Sequence, residues 1–351
     1  MSILMAESIC FFTGSREAFN VLYDTLNFGW MLHEGFDLDL VTTRPDDFSN
    51  EIGMYFDLHG HDQPSTLLGE TRALDRYLSE NSPDTVVNVV APSVQGTTAS
   101  LLARRHDTPF TYRYSSDLFD LYRVSHSWRK PAQFGLNNLF GRIPLALADR
   151  CIALGPTGKK RLVDRGKALS DVVILPPPID AERFEQETEP PDWEIHEDRS
   201  VVLFAGRRTR IKGIHDMEIA IPEILERRDD VQFAFVGSHG RMPEVPREYK
   251  EHITMVGRVP EMPPYFRAAD LLVLPTYNEG LPRVITESLA SGTPVVARDV
   301  ADIAYATKNV FDEIQEFIEM VVDFESLPLD DVTPFTRETL RSKYAEFFRD
   351  M

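Results

Sequence analysis

The chain has 351 residues, enough for two ordinary domains, and 42% of them are hydrophobic, enough to fill two cores. A formal net charge of −19 excludes a generic basic surface for nucleic acid. No apolar stretch reaches the roughly 18 residues that a spanning helix needs. The opening MSILMAESICFF has neither a basic n-region nor a cleavage-like site, so no signal peptide is expected. The expectation is a cytoplasmic protein, with any membrane contact peripheral and at the cytoplasmic face. Lysine is scarce and arginine supplies most of the positive charge. An acidic, lysine-poor surface suits a high-salt cytoplasm, where net charge sustains solubility.

Short apolar runs alternate with helical stretches from the start. Residues 9–14 (ICFFTG) predict a strand, 20–34 a helix, 37–43 (DLDLVTT) a second strand and 85–92 (TVVNVVAP) a third. SVQGTTASLLARRH reads as a helix and 109–114 (PFTYRY) as a strand, with two more strands at 148–155 and 171–178. Cys10 and Cys151 fall in such runs, as buried free thiols of a reducing compartment would. Residues 185–200 then bring several acids, two prolines and no apolar period, which reads as a linker. The alternation restarts with strands at 200–206, 231–237, 253–257, 270–276 and 293–298, and a helix over 214–227. Continuous apolar strands separated by helices indicate parallel sheets covered on both faces. The expected class is therefore α/β: two doubly wound domains, 1–184 and 200–332, joined by a linker at 185–199, with a cleft between them and an amphipathic helical tail at 333–351. Ligands of such sheets bind at the carboxyl ends of the strands.

Three stretches of the second half place polar residues at strand ends. FAGRRTRIKGIHD (204–216) presents Arg207 and Lys212 between a strand and a helix, where helix N-termini also draw anions. A diphosphate clamp and a solvated basic turn both fit it. FVGSHG (235–240) ends a strand in a glycine-rich turn, where Gly237 permits close backbone approach to a ligand. In NEGLPRVITESLASG (278–292), Glu279 stands in a turn, Pro282 suits the first helical position and Gly292 closes the helix. Glu287 then lies on the second turn among Val284, Ile285, Leu289 and Ala290, where an unpaired carboxylate is costly. Ribose hydroxyls would serve as partners. So would an arginine, with Glu279 a helix-entry acid favoured by the macrodipole.

In order, GRRTRIKG, FVGSHG, MVGRVP and FRAADLLVLPTYNEGLPRVITESLASGTPVVA, with the Glu279/Glu287 pair, resemble the nucleotide-binding domain of GT-B glycosyltransferases, most of all the retaining GT4 family (glycosyl transferases group 1). The resemblance is clearest over 147–298; the N-terminal half shares mainly the layout. It implies a GT-B architecture of two Rossmann-like domains facing across a cleft, acceptor side first, with the terminal helix packing back on the N-terminal domain. It implies that Arg207 and Lys212 neutralise the donor diphosphate and that Glu287 holds the ribose hydroxyls. Glu279, with the Gly280-Leu281 backbone, would hold the transferred sugar and distal phosphate, while Gly237, Arg258 and Val259 would border the nucleotide. Gly14, Ser15 and Arg16 would approach the diphosphate from the other domain, and Asp117 would face the donor sugar. Retention with the diphosphate as base needs no protein nucleophile, and the resemblance implies no metal and no cofactor beyond the nucleotide-sugar substrate. DLDL (37–40) alternates like a strand rather than forming an Asp-x-Asp metal motif.

The chain departs from the family after PVVAR, where Asp299-Val300-Ala301 stands in place of a Gly-Gly-x-x-Glu run, and GSREAF lacks a common glycine pair. Both leave the sugar open and keep a second reading in view, a non-catalytic nucleotide-sugar-binding or partner subunit. The ordered motifs argue against an epimerase or a phosphorylase. No G-x-G-x-x-G follows a strand, and GPTGKKR has the wrong spacing for a P-loop.

Residues 104–167 hold thirteen Lys/Arg and five Asp/Glu, a local balance of +8. Aromatics interleave with the cations over 122–143, where Trp128, Phe134 and Phe140 would face outward; His126 reads as an ordinary loop residue. Such a mixture suits an anionic membrane surface or a polyprenyl-phosphate acceptor. The partners expected are a nucleotide-sugar donor and a glycan or lipid-linked acceptor, and no nucleic acid.

Overall fold

The computed structural model describes residues 7–14, 19–44, 51–89, 92–116, 119, 130–196, 198–238 and 240–350. The chain forms two compact units: residues up to Pro178 together with Glu338 onward, and Ile179–Arg337.

The first unit is built on strands β1 (Glu7–Gly14), β2 (Phe36–Thr42), β3 (Asp57–His59), β4 (Thr85–Asn88), β5 (Phe110–Tyr114), β6 (Arg150–Ala153) and β7 (Val172–Ile174). They pair in parallel in the order β3-β2-β1-β4-β5-β6-β7. Successive side chains of a strand point to opposite faces, and here both faces are covered. Cys10 and Phe12 join Leu74, Tyr112 and Leu162 on one side. Phe11 joins Phe28, Leu40 and Ile152 on the other. That is why Ile9–Phe12 in the middle of β1 are apolar in succession rather than alternating. The helix Arg337–Arg349 supplies Leu340, Tyr344, Phe347 and Phe348 to the second of these clusters. The Tyr344 hydroxyl donates to the Pro176 carbonyl at 2.9 Å. Both cysteines are fully buried free thiols; burial pushes Cys10 well above the usual thiol range and Cys151 up to about 12.

The second unit carries β8 (Ser200–Ala205), β9 (Val231–Val236), β10 (Ile253–Gly257), β11 (Leu271–Leu274), β12 (Val295–Arg298) and β13 (Val310–Phe311). They form a parallel sheet in the order β10-β9-β8-β11-β12-β13. The helix Ile214–Leu225 lays Ile214, Met217, Ile221 and Ile224, at helical spacing, against Val202, Phe204, Phe233 and Phe235. β13 and the helix Ile314–Val322 had no counterpart in the sequence reading; Glu313 and Glu316 start that helix with a reciprocal capping box. The segment around Glu194 is docked on the sheet edge by hydrogen bonds and by Trp193, whose ring meets that of Tyr265 edge-on at 5.3 Å. The Glu194 carbonyl accepts from Thr254 Oγ1 at 2.8 Å and Gln232 Nε2 at 2.9 Å.

In each unit the strand order reverses beside the first strand, at β1/β4 and at β8/β11. In open α/β sheets the crevice at the carboxyl end of such a reversal is where ligands bind.

Candidate active site

At the β8/β11 reversal two loops meet. After β8 the chain turns through Gly206 and a single 3-10 turn, Arg210–Lys212, and enters the helix Ile214–Leu225 at Gly213. Gly213 has φ +80°, and a Cβ there would stand 2.0 Å from the Pro275 carbonyl oxygen, so only glycine lets this loop lie against the end of β11. The contact is then locked. Tyr277 N–H donates to Ile211 O at 2.8 Å, and Thr276 Oγ1 donates to the same carbonyl at 3.2 Å. The result brings Lys212 and Glu279 into direct contact: Lys212 Nζ donates to Glu279 Oε1, which also lies 3.3 Å from Thr276 Oγ1. Their side chains are 22% and 15% exposed, so the pair is set in the protein surface but reachable.

The ligand-free protein thus satisfies Lys212 with Glu279, where the sequence reading had assigned one to phosphate and the other to sugar. Arg207 is different. It is exposed; its carbonyl accepts from Thr209 N–H at 2.8 Å, but among the described residues its guanidinium has no hydrogen-bond or ion-pair partner.

Glu287 sits on the helix Arg283–Ala290. The helix covers Arg283–Ala290, as the sequence suggests; Pro282, at φ −73° and ψ 127°, is its cap rather than its first residue, and Gly292 follows Ser291 with φ +83°. Ile285, Leu289 and Ala290 are buried, whereas Glu287 reaches the surface in part. Burial nevertheless raises its carboxyl above the usual range, against the pull of the Arg283 and Arg183 charges. Among the described residues no hydrogen bond or ion pair engages this carboxylate. A desolvated acid with open acceptor positions is suited to hydroxyl donors. Gly280 is partly exposed, its carbonyl held by Asp302 N–H at 3.1 Å, while the Leu281 side chain is buried.

Gly206, Gly237 and Gly257 end three neighbouring strands at positive φ. Gly206 N–H donates to Val236 O at 2.8 Å, and Gly237 N–H donates to Gly257 O at 2.7 Å. A Cβ at Gly237 would lie 2.2 Å from the Gly206 carbonyl oxygen. The glycine is therefore required by the approach of two strand ends, whatever it does for a ligand. Arg258 is exposed and Val259 half-buried just beyond β10.

In the first unit Gly14 ends β1 at φ +61°, with its carbonyl accepting from Thr42 Oγ1 at 3.0 Å. The Glu70 carboxyl, 2% exposed, would meet a Cβ at this position within about 3 Å. Ser15, Arg16 and Asp117 lie outside the described residues, as do His126 and Trp128.

The sequence reading missed what holds the Glu279 turn. Tyr277 OH donates to Asp216 Oδ1 at 2.8 Å, and Asp216 Oδ2 pairs with Arg298 Nη2 at 3.0 Å. The Arg298 guanidinium lies 4.5 Å from the Tyr277 ring centroid and 4.8 Å from that of Phe311. One signal was present: Asp216 falls beside Met217 on the apolar side of a helix, where an acid needs a partner.

Comparison with known proteins agrees with this geometry. Residues 199–323 match the family model described as glycosyl transferases group 1. The chain is 34% identical over 154 residues to the "Putative teichuronic acid biosynthesis glycosyltransferase TuaC" of Bacillus subtilis, covering 41% of this chain and 38% of that one. It is 29% identical over 185 residues to the D-inositol 3-phosphate glycosyltransferase of Geodermatophilus obscurus, covering 47% and 41%. The matched part thus spans about two-fifths of these relatives' length. Among solved structures, Anabaena Alr3699/HepE in complex with UDP and glucose superposes with a TM-score of 0.68 at 13% identity, covering 98% of this chain and 100% of that one. At that identity the likeness is one of fold, the GT-B fold.

Proposed function

We propose that this chain, whose residues 199–323 match the model of the glycosyl transferases group 1 family, moves a sugar from a UDP- or GDP-linked donor to a hydroxyl of a glycan or lipid-linked saccharide, with retention of configuration. The observation that carries the reading is the β8/β11 reversal itself. It presents a charge-paired Lys212 and Glu279, an unanswered Arg207 and a desolvated Glu287 with open acceptor positions. Glu287 would take the ribose hydroxyls, and Glu279 with the Gly280-Leu281 backbone would take the transferred sugar and distal phosphate. Gly237, Arg258 and Val259 would border the nucleotide.

In the reaction the bond between donor C1 and the diphosphate oxygen breaks, and the electron pair leaves with the diphosphate. The acceptor oxygen bonds to C1 from the same face and its proton passes to the departing diphosphate. Negative charge grows on that group, and Arg207 and Lys212 meet it. A well-placed donor of this kind contributes on the order of 100- to 1000-fold in rate. The nucleotide sugar is a substrate, and metal is not part of the scheme.

A thermal-shift screen with UDP, GDP, ADP, CMP and their sugar conjugates, at low and high salt, tests the reading. A ligand at about 100 times its dissociation constant adds about 2.7 kcal/mol. One nucleotide should raise the melting temperature, Glu287→Ala should abolish the rise, and Glu279→Ala should abolish transfer while nucleotide still binds. No shift with any nucleotide at any salt would overturn the donor site. The second reading, a binding or partner subunit, keeps the shift but shows no transfer; Asp299-Val300-Ala301 in place of the usual glycines is what favours it.

A further inference from the structure

One surface of the first unit has its polarity inverted. The stretch Lys130–Phe140 is a short helix followed by a single wide turn. Two of its polar residues face inward: Asn137 is buried, and Asn138 Nδ2 donates to the Phe119 carbonyl at 3.0 Å. Its large apolar residues face out: Phe134, Leu136, Leu139 and Phe140 are between 41% and 68% exposed. The patch continues onto the helix Thr97–Arg105. Thr97 Oγ1 donates to the Phe140 carbonyl at 3.0 Å, and Leu101, one turn along the same face, is 51% exposed. Isolated exposed leucines need no explanation, but a run of five in adjoining elements does.

Cations rim the patch. Arg104 and Arg142 are exposed and have no ion-pair partner among the described residues, and Arg105 is exposed beside Asp75. The wider segment 104–167 carries +8, while the rest of the chain holds 24 Lys/Arg and 51 Asp/Glu, a balance of −27. Exposed arginines thus stand beside the emerging apolar side chains: Arg104 and Arg105 follow Leu101 on its helix, and Arg142 follows Phe140. We propose that this face docks on an anionic lipid bilayer, with Leu136, Leu139 and Phe140 entering the headgroup boundary and Arg104 and Arg142 meeting acidic headgroups. Apolar anchors beside cations match that boundary, where each cation near the surface strengthens partition about fivefold. A symmetric pairing of two copies through the same face would set Arg104 and Arg142 against like charges. The inference does not rest on the sugar-transfer reading, and lipid binding needs no nucleotide, so the two fail separately.

Flotation of the full chain with vesicles tests it, comparing phosphatidylglycerol/phosphatidylcholine with phosphatidylcholine alone across a salt series. The protein should float with the anionic vesicles only, less so as salt rises. Leu136→Ser/Leu139→Ser should lower the bound fraction on the order of tenfold at an unchanged melting temperature. Arg104→Glu/Arg142→Glu should remove the salt-sensitive part. Should the double serine variant melt early, Leu139→Gln alone carries the test. Absence of flotation at every salt, flotation equal in the variants and the parent, or self-association that these substitutions break without any lipid binding would each overturn the proposal.

Discussion

Arg298 and Asp216 form an ion pair at 3.0 Å with side chains 12% and 7% exposed, and the pair holds the Tyr277 hydroxyl two residues from Glu279. Removing one partner of such a pair leaves the other charge buried and costs about 3–5 kcal/mol, whereas removing both costs much less. Asp216→Ala should therefore destabilise the protein strongly in urea unfolding, and Arg298→Met should recover most of the loss when added to it. Additive losses in the double-mutant cycle would show that the two residues act independently.

Glu287 predicts a conflict between stability and binding. Its carboxyl is raised by burial from an ordinary value of 4.5, so the folded state holds the proton more tightly than the unfolded one. Stability from this source is fully present below pH 4.5 and is lost as pH rises through the higher folded value. Glu287→Gln, which mimics the protonated form, should melt above the parent at pH 7, with the gain shrinking as pH falls. The same variant should weaken nucleotide binding by about tenfold, the size of a charge-assisted hydrogen bond made neutral. An unchanged melting curve across pH would show that the carboxylate is not desolvated in solution.

Arg207 and Lys212 should separate by what they do to the free protein. The Arg207 guanidinium has no protein partner among the described residues, so Arg207→Ala should change stability by no more than about 0.5 kcal/mol. Lys212→Met leaves Glu279 without its counter-charge and should destabilise measurably. Both should slow transfer on the order of 100-fold. The comparison needs calorimetry and initial rates on the two variants; equal stability losses would contradict the distinction.

Gly237→Ala should be damaging for a reason unrelated to ligand. The residue has φ +138°, and the new Cβ would fall 2.2 Å from the Gly206 carbonyl oxygen. Backbone strain alone costs about 1–3 kcal/mol, and the overlap adds to it. Chemical denaturation of the nucleotide-free protein reads the loss; a neutral outcome would mean that the ends of β8 and β9 can part.

Much of the fold was legible because parallel strands buried on both faces appear as continuous apolar runs, as in ICFFTG, SVVLFAG and DLLVLPT. Short or edge elements were not. β3 and β13 are three and two residues long, too brief to carry a pattern. The segment around Glu194 reads as featureless because hydrogen bonds from Thr254 and Gln232 and a single ring contact of Trp193 with Tyr265 hold it, and none of these leaves a periodic pattern.

For the candidate site, residue types and spacings were readable. Glu279, Glu287, Arg207 and Lys212 stand out because charged residues next to strand ends, or on a largely apolar helix, have few structural excuses. Their mutual contacts were not. A sequence records only separation along the chain, and Lys212 and Glu279 are 67 positions apart, so their pairing depends on β8 and β11 being neighbours and on the fit of Gly213 against Pro275. By itself, then, the sequence determined two α/β sheets and the charged residues at their strand ends, because burial and turn chemistry are local demands. Only the tertiary structure decided that Lys212 is held by Glu279, that the Arg207 guanidinium meets no partner among the described residues and that Asp216, Tyr277 and Arg298 form one network, because those are facts of strand order and close packing.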